Sequence, residues 1–421
     1  MLAGRVTGND LPTLITELPG PASRAWVDRL AARECPAITS RRARRAAALG
    51  ASDTDPVVWA ESLGCNVKDV DGNVLVDLCA GFGVMALGHR HPAVMAAGQA
   101  QLGRLPHAMG DAFPDVRRIE LMERLCALTG LDRVIFGCSG SDAVEAAIKT
   151  ARLATGRHRI LSFEGGYHGL ASAPLAVIGY HVDAFQEPFR PLLGAHGDRA
   201  PWGGPIPDLS GHAAVLVEPL QGRGGMRAPP DGWLEELHAQ AHAAGALVIH
   251  DEIYCGLGRA GAWLAAGTLK PDLLCLGKAL ACGYPISACL GTAEVMDAWG
   301  ASTGEAIHTH TFLGNPVGCA MALAALDEME RIDLPGQSFA TGEWLRACLL
   351  EVPGVRGVTG RGLMLGAVVD HSLRAMRGMQ ARGYLVLPAG ERGEVLGITP
   401  PLVVSQHVLE GALDALTQVL A

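Results

Sequence analysis

The run LCLGKALACGYP (274–285) carries one lysine, Lys278, among residues that otherwise read as protein interior. Lysine is seldom buried without a partner. Either its stem packs while its ammonium stays in water, or burial lowers its pKa and frees the amine's lone pair for chemistry. Other polar residues follow apolar runs in the same way. RVIFG (133–137) leads into GCSGSDAVEAA, which puts Gly140 and Ser141 at a helix N-terminus. Free N–H groups and the helix dipole favour a phosphate there. RILSF (159–163) leads into EGGYHG, with Tyr167 and His168 in a glycine-flexed loop. Glu218 closes AAVLVE, Asp251 closes ALVIHD, and Lys278 follows DLLCLG. A phosphate cradle, an aromatic face, two carboxylates and a lysine form the set that pyridoxal 5′-phosphate needs. The ring stacks on the aromatic, a carboxylate keeps the ring nitrogen protonated, and the aldehyde takes the lysine as a Schiff base.

The elements that must position these residues are strands alternating with helices. The apolar runs 133–137, 159–163, 213–219, 246–253, 272–277 and 287–291 are continuous rather than alternating. That pattern belongs to sheets covered on both faces and predicts an α/β fold with a mainly parallel central sheet. Ligands then bind at the carboxyl ends of the strands. A helix from about Ser141 would bury Val144, Ala147, Ile148 and Ala151 on one face, and GWLEELHAQAHAAG (232–245) is a second helix. GCNVKDVDGNVLVDLCAGFG (64–83) reads as a hairpin turning at Asp71-Gly72. A long helix follows Pro316. Strands near 363–369, 384–387 and 395–399 suggest a smaller α+β domain. The expected division is an N-terminal segment (1–60) joining the small domain, a large domain (61–330) and the C-terminal small domain (331–421).

The net charge of −9 over 421 residues argues against nucleic acid or an anionic membrane as partner. RRARR (41–45) is too short to change that and is read as a helix face. No apolar leader or membrane-length run is visible. Eleven cysteines, none in C-x-x-C, read as reduced thiols of a cytoplasmic protein.

Several stretches together resemble the class III pyridoxal-phosphate aminotransferases of fold type I. They are DVDGNVLVDLCAGFGVMALGHRHP (69–92), GCSGSDAVEAAIKTAR (137–152), GGYHG (165–169), VEPLQGRGGMRAPPDGWL (217–234), HDEIYCGLGRAG (250–261), KPDLLCLGKALACGYPISA (270–288) and THTFLGNPVG (309–318). The likeness runs from about residue 60 to 420. It implies that Lys278 forms the Schiff base and shuttles the proton, while Asp251 pairs with the pyridinium nitrogen. Gly140 and Ser141 would hold the phosphate, Tyr167 would stack on one ring face and Ile253 would cover the other. Thr311 would reach the phosphate of a neighbouring subunit, which implies a homodimer with shared active sites. The partners implied are a small amino donor and a 2-oxo acid acceptor. A racemase or epimerase of the same family is the alternative, since it uses the same residues and returns the proton to Cα. His168 is read as a residue that orients its loop.

Two departures bear on substrate. Tyr254 stands where many members carry a glutamine near the cofactor's phenolic oxygen; its hydroxyl either donates there or packs turned away. Gly397, before the "x-x-P-P-L" stretch, stands where many members carry an arginine that grips a substrate carboxylate. Glu218, resembling that arginine's partner, would be left alone. Either the donor lacks a carboxylate at this place, or Arg223 supplies the cation. GLGRAG (256–261) fits a dinucleotide motif, but no Asp or Glu lies between Asp272 and Glu294 to bind a ribose. GCSGS falls one residue short of an esterase elbow. His308 and His310 alternate without an evident Cys, Asp or Glu set and are read as structural.

Overall fold

The computed structural model describes residues 7–38, 56–194 and 196–421; the basic run 41–45 lies outside them. The N-terminal segment carries a helix over Pro21–Ala31. An antiparallel set follows: β1 (Trp59–Leu63), β2 (Asn66–Asp69) and β3 (Val74–Asp77). The turn between β2 and β3 is the expected one. Gly72 takes a φ of +93°, open to glycine, and Asp69 Oδ1 accepts the N–H groups of Asp71 at 3.0 Å and Asn73 at 2.7 Å.

The central sheet contains β4 (Arg133–Gly137), β5 (Arg159–Phe163), β6 (Gly197–Ala200), β7 (His212–Val217), β8 (Leu247–Asp251), β9 (Leu273–Leu276) and β10 (Ser287–Gly291). Their order is β4-β10-β9-β8-β7-β5-β6. Neighbours from β9 through β6 run parallel. β10 runs antiparallel between β4 and β9, a direction that apolar content could not reveal. β6, with the polar sequence GDRA, offered no apolar run to read.

Both faces of this sheet are covered, which explains the continuous apolar strands. Ala214 and Leu216 of β7 and Ile249 of β8 pack with Val144, Ala147, Ile148 and Ala151 of the Gly140–Thr155 helix. Val215, Val217 and Val248 point to the other side, against Trp233, Leu237 and Ala241 of the Trp233–Ala243 helix. Each such side chain taken from water contributes roughly 1.5–3 kcal/mol. Most of that is spent on ordering the chain.

The C-terminal part forms an antiparallel sheet of β11 (Gly357–Arg361), β12 (Met364–Val368), β14 (Leu387–Ala389) and β15 (Val395–Ile398), in the order β11-β12-β15-β14. β13 (Tyr384–Leu385) leaves it to pair in parallel with β3. The long helix after the central sheet spans Pro316–Arg331. No helix among the described residues is long and apolar enough to cross a membrane.

One buried pair sets an acid limit on this fold. His250 of β8 and His238 of the covering helix meet Nε2 to Nε2 at 2.8 Å. One ring must donate and the other accept, so at least one is neutral, and burial disfavours a charge on either. Burial pushes His238 down to about 4, and His250 well below the ordinary histidine range. The unfolded chain binds these protons below about pH 6.5. The folded state excludes them, so stability is lost as pH falls from about 6.5 toward 4. Each excluded proton removes up to about 1.4 kcal/mol per pH unit. The melting temperature should therefore fall more steeply between pH 6.5 and 4.5 in the wild type than in a His238→Leu/His250→Leu variant. Parallel slopes would show that other groups control acid stability.

Candidate active site

Asp251 ends β8 and is 3% exposed. A carboxylate so placed needs donors, and it has two. His168 Nδ1 lies 2.8 Å from Oδ2, and the Ile253 N–H reaches Oδ1 at 3.1 Å. Burial disfavours the imidazolium of His168. The Asp251 bond and the charges of Asp251 and Glu218 outweigh that effect, so its pKa rises above the usual value. The contact with Asp251 therefore favours the protonated form of the imidazole against the cost of its burial.

Lys278 follows the neighbouring strand. Asp251 pairs with Cys275 across β8 and β9, three residues before the lysine. Lys278 opens a tight turn with a φ of +32°, a backbone state that costs a side-chain-bearing residue roughly 1–3 kcal/mol. Burial lowers its pKa; Asp251 and Glu218 pull the other way without restoring it. Its Nζ lies 4.5 Å from the ring centroid of Tyr254. Of the two readings of this lysine, the structure gives the one with a partly desolvated amine.

The Gly140–Thr155 helix starts one residue earlier than expected. Ser139 caps it, its hydroxyl accepting the Asp142 N–H, while Asp142 Oδ2 accepts the N–H groups of Ser139 and Cys138. The S-x-x-D spacing of this capping box was legible in the sequence and was missed. Gly140 and Ser141 therefore occupy the first turn, where N–H groups have no intrahelical acceptor. Ile253 closes over this place: a Cβ on Gly140 would lie 2.9 Å from its Cδ1, and one on Gly277 3.2 Å from its Cγ2. The Ser141 hydroxyl accepts the Leu170 N–H at 3.1 Å.

Glu218 is not left alone. Oε1 accepts the Tyr167 N–H at 2.9 Å, and Oε2 accepts the Gly222 N–H at 3.0 Å. Burial raises its pKa, against the opposing charge of His168 and these two bonds. The premise for a donor without a carboxylate, an unpartnered Glu218, therefore fails. The Tyr254 hydroxyl bonds Thr399 Oγ1 at 3.1 Å, in the segment after β15. Thr399 had not been singled out. Thr311 lies exposed in the loop before Gly314. In the same loop His310 Nδ1 comes 3.8 Å from Cys138 Sγ, and Asp142 stands close to both. His310 thus does have a Cys and an Asp beside it, brought from far away in sequence.

GLGRAG is a packing loop. Arg259 is buried and donates to the carbonyls of Leu363 and Pro400, while a Cβ on Gly261 would press on Phe339 at 3.1 Å.

This donor set fits pyridoxal phosphate: an amine, a buried anion on an adjacent strand, and a bare-backbone cradle at a helix start. The comparisons agree. Residues 49–196 and 210–420 match the family described as Aminotransferase class-III. Acetylornithine aminotransferase of Methanothermobacter thermautotrophicus is 35% identical over 376 residues, covering 87% of this chain and 94% of the relative. Among solved structures, ornithine aminotransferase from Toxoplasma gondii superposes with a TM-score of 0.81 at 28% identity, over 94% of this chain and 97% of that one. An amine transaminase from an uncultivated Pseudomonas species, solved with PLP bound, gives 0.78 at 29% identity over 86% and 94%. The chain belongs to the class III aminotransferase family, with the fold type I architecture. It is a pyridoxal 5′-phosphate-dependent aminotransferase, and none of these likenesses favours a racemase.

Gly169 tests the cradle. Its φ is +107°, and a Cβ there would lie 1.9 Å from Ser141 Oγ. Gly169→Ala must displace that hydroxyl, and the dissociation constant for pyridoxal phosphate should rise by about 10-fold, the worth of one charge-assisted bond. An unchanged constant in equilibrium dialysis would remove Ser141 from the cradle.

Proposed function

We propose that the chain transfers an amino group from an amino donor to a 2-oxo acid, with Lys278 as the cofactor-bonding amine and proton carrier. Asp251 is the anion facing the ring nitrogen. The observation that carries this reading is their placement: Asp251 ends β8 and Lys278 follows the adjacent parallel strand β9, the first buried against an imidazole and the other desolvated.

When bound, pyridoxal phosphate supplies an electron sink that makes the amine-bearing carbon of the substrate acidic. The chain supplies the rest. Asp251 would hold a proton at the ring nitrogen, and His168 orients Asp251 through their 2.8 Å contact. The first-turn N–H groups of Gly140 and Ser141, with the Ser141 hydroxyl, bind the phosphate. Tyr167, pinned through its N–H by Glu218, and Ile253 line opposite faces of the ring site. Tyr254 packs beneath the Lys278 amine. Its hydroxyl, held by Thr399, would support the pocket wall. With the cofactor bound, Lys278 would be the group that takes the proton from the substrate's amine-bearing carbon and passes it on. Its neutral form does this, so activity rises with pH as the amine loses its proton.

Thr311 reaches the phosphate site of a second copy of the chain, which makes the working unit a homodimer. Its exposure on the loop before Gly314 supports this. The eleven cysteines all stand as free thiols, which suits a reducing cytoplasm.

Lys278→Ala should remain folded and lose turnover by at least about 10⁴-fold, since nucleophile and proton carrier go together. Asp251→Asn should keep the cofactor and lose about 10²–10⁴-fold, the usual weight of a positioned acid–base group. Transamination assays with circular dichroism as the folding control measure both. Substantial turnover in Lys278→Ala would refute the assignment.

A further inference from the structure

Gly397 brings no side chain to the site, and its surroundings are close-packed. A Cβ there would lie 3.0 Å from Met226 Cε and 3.2 Å from the Leu387 carbonyl oxygen. A cation for a substrate carboxylate has to come from elsewhere. Arg223 is at the tip of a loop tied down on all sides. Gln221 and Arg227 exchange both backbone hydrogen bonds at 2.9 Å, and the N–H groups of Gly225 and Met226 both reach the Gly222 carbonyl at 3.1 Å. From the C-terminal sheet region, the Gly390 N–H donates to the Arg223 carbonyl at 2.9 Å and Thr359 Oγ1 donates to the Gly225 carbonyl at 2.8 Å.

The side chain leaves this fixed point toward the cofactor site. Its guanidinium carbon lies 4.5 Å from the Tyr167 ring centroid and 5.0 Å from that of Tyr180. Such stacking orients a guanidinium while leaving its N–H edge for an anion. Among the described residues, no carboxylate pairs with it. Glu218, the nearby acid of the same segment, spends its oxygens on the Tyr167 and Gly222 N–H groups. Arg223 is close enough to Lys278 for its charge to disfavour the ammonium form. The site therefore holds a preoriented guanidinium, stacked on two aromatic rings and paired with no carboxylate among the described residues.

We infer that Arg223 binds the substrate carboxylate, so that the enzyme takes amino acids in preference to the same amines without a carboxylate. This rests on the assignment of Tyr167 to the cofactor face. A planar fork meets a carboxylate through two parallel N–H···O bonds, a geometry that an ammonium cannot reproduce.

The test uses the holoenzyme without acceptor, following the cofactor band with matched pairs: ornithine against 1,4-diaminobutane, and 4-aminobutyrate against propylamine. Wild type should prefer the carboxylate-bearing member of at least one pair. In Arg223→Gln that preference should shrink by about 10–100-fold, the worth of a charged hydrogen-bonded pair, mainly through weaker saturation. Arg223→Lys should fall between. A purely packing role would lower both members of a pair alike and spare the ratio. Equal losses, an unchanged ratio in Arg223→Gln, or no preference in the wild type overturns the inference while the transaminase assignment stands. A protein that takes up no pyridoxal phosphate overturns both.

Discussion

A carboxylate charge kept inside the protein at the end of β8 is the constraint on which the site depends. Burying such a charge costs several kcal/mol unless it is paired and hydrogen-bonded. Asp251 meets that condition only because His168 and the Ile253 N–H converge on it. His168 arrives from the loop after β5, between glycines with φ of +80° at Gly165 and +107° at Gly169. The same loop is pinned by Glu218 from the end of β7, through the Tyr167 N–H. Loops after three parallel strands are therefore locked to one another by two acids and one imidazole. Lys278, after a fourth, feels the charge of both acids. Removing His168 would leave Asp251 with only the Ile253 N–H, and removing Glu218 would free the Tyr167 and Gly222 N–H groups, so a change at one member loosens the loop of another.

The C-terminal part closes this unit from the side. Thr399 takes the Tyr254 hydroxyl, and Arg259 reaches the Leu363 and Pro400 carbonyls. The Gly390 N–H holds the loop that carries Arg223. Residues that act on the substrate side thus rest on backbone from β11 to the segment after β15. A change in that sheet can alter substrate preference without touching the cofactor's own contacts.

The strands that end in functional residues were readable because each is an apolar run followed by a polar residue, and parallel sheets place all such ends on one edge. The helix face Val144, Ala147, Ile148 and Ala151 was readable from its period. Partners were not. Tyr254 and Thr399 lie 145 residues apart, Tyr167 and Glu218 51, and Cys138 and His310 172. No local pattern encodes such meetings. The expected loneliness of Glu218 failed for that reason: backbone N–H groups carry no side-chain signature, so a sequence hides them as partners. β6 and the reversed direction of β10 were hidden because one has no apolar run and the other looks the same read either way.

The chain has four lysines, Lys68, Lys149, Lys270 and Lys278. Only the last adjoins Asp251; Lys149, for comparison, pairs with Glu145 at 3.6 Å on a helix surface. Borohydride reduction of the holoenzyme followed by peptide mapping therefore reads the central claim directly. The phosphopyridoxyl mass should appear on the peptide containing Lys278 and on no other. Stoichiometric labelling of any other lysine, with Lys278 unmodified, would contradict the site described.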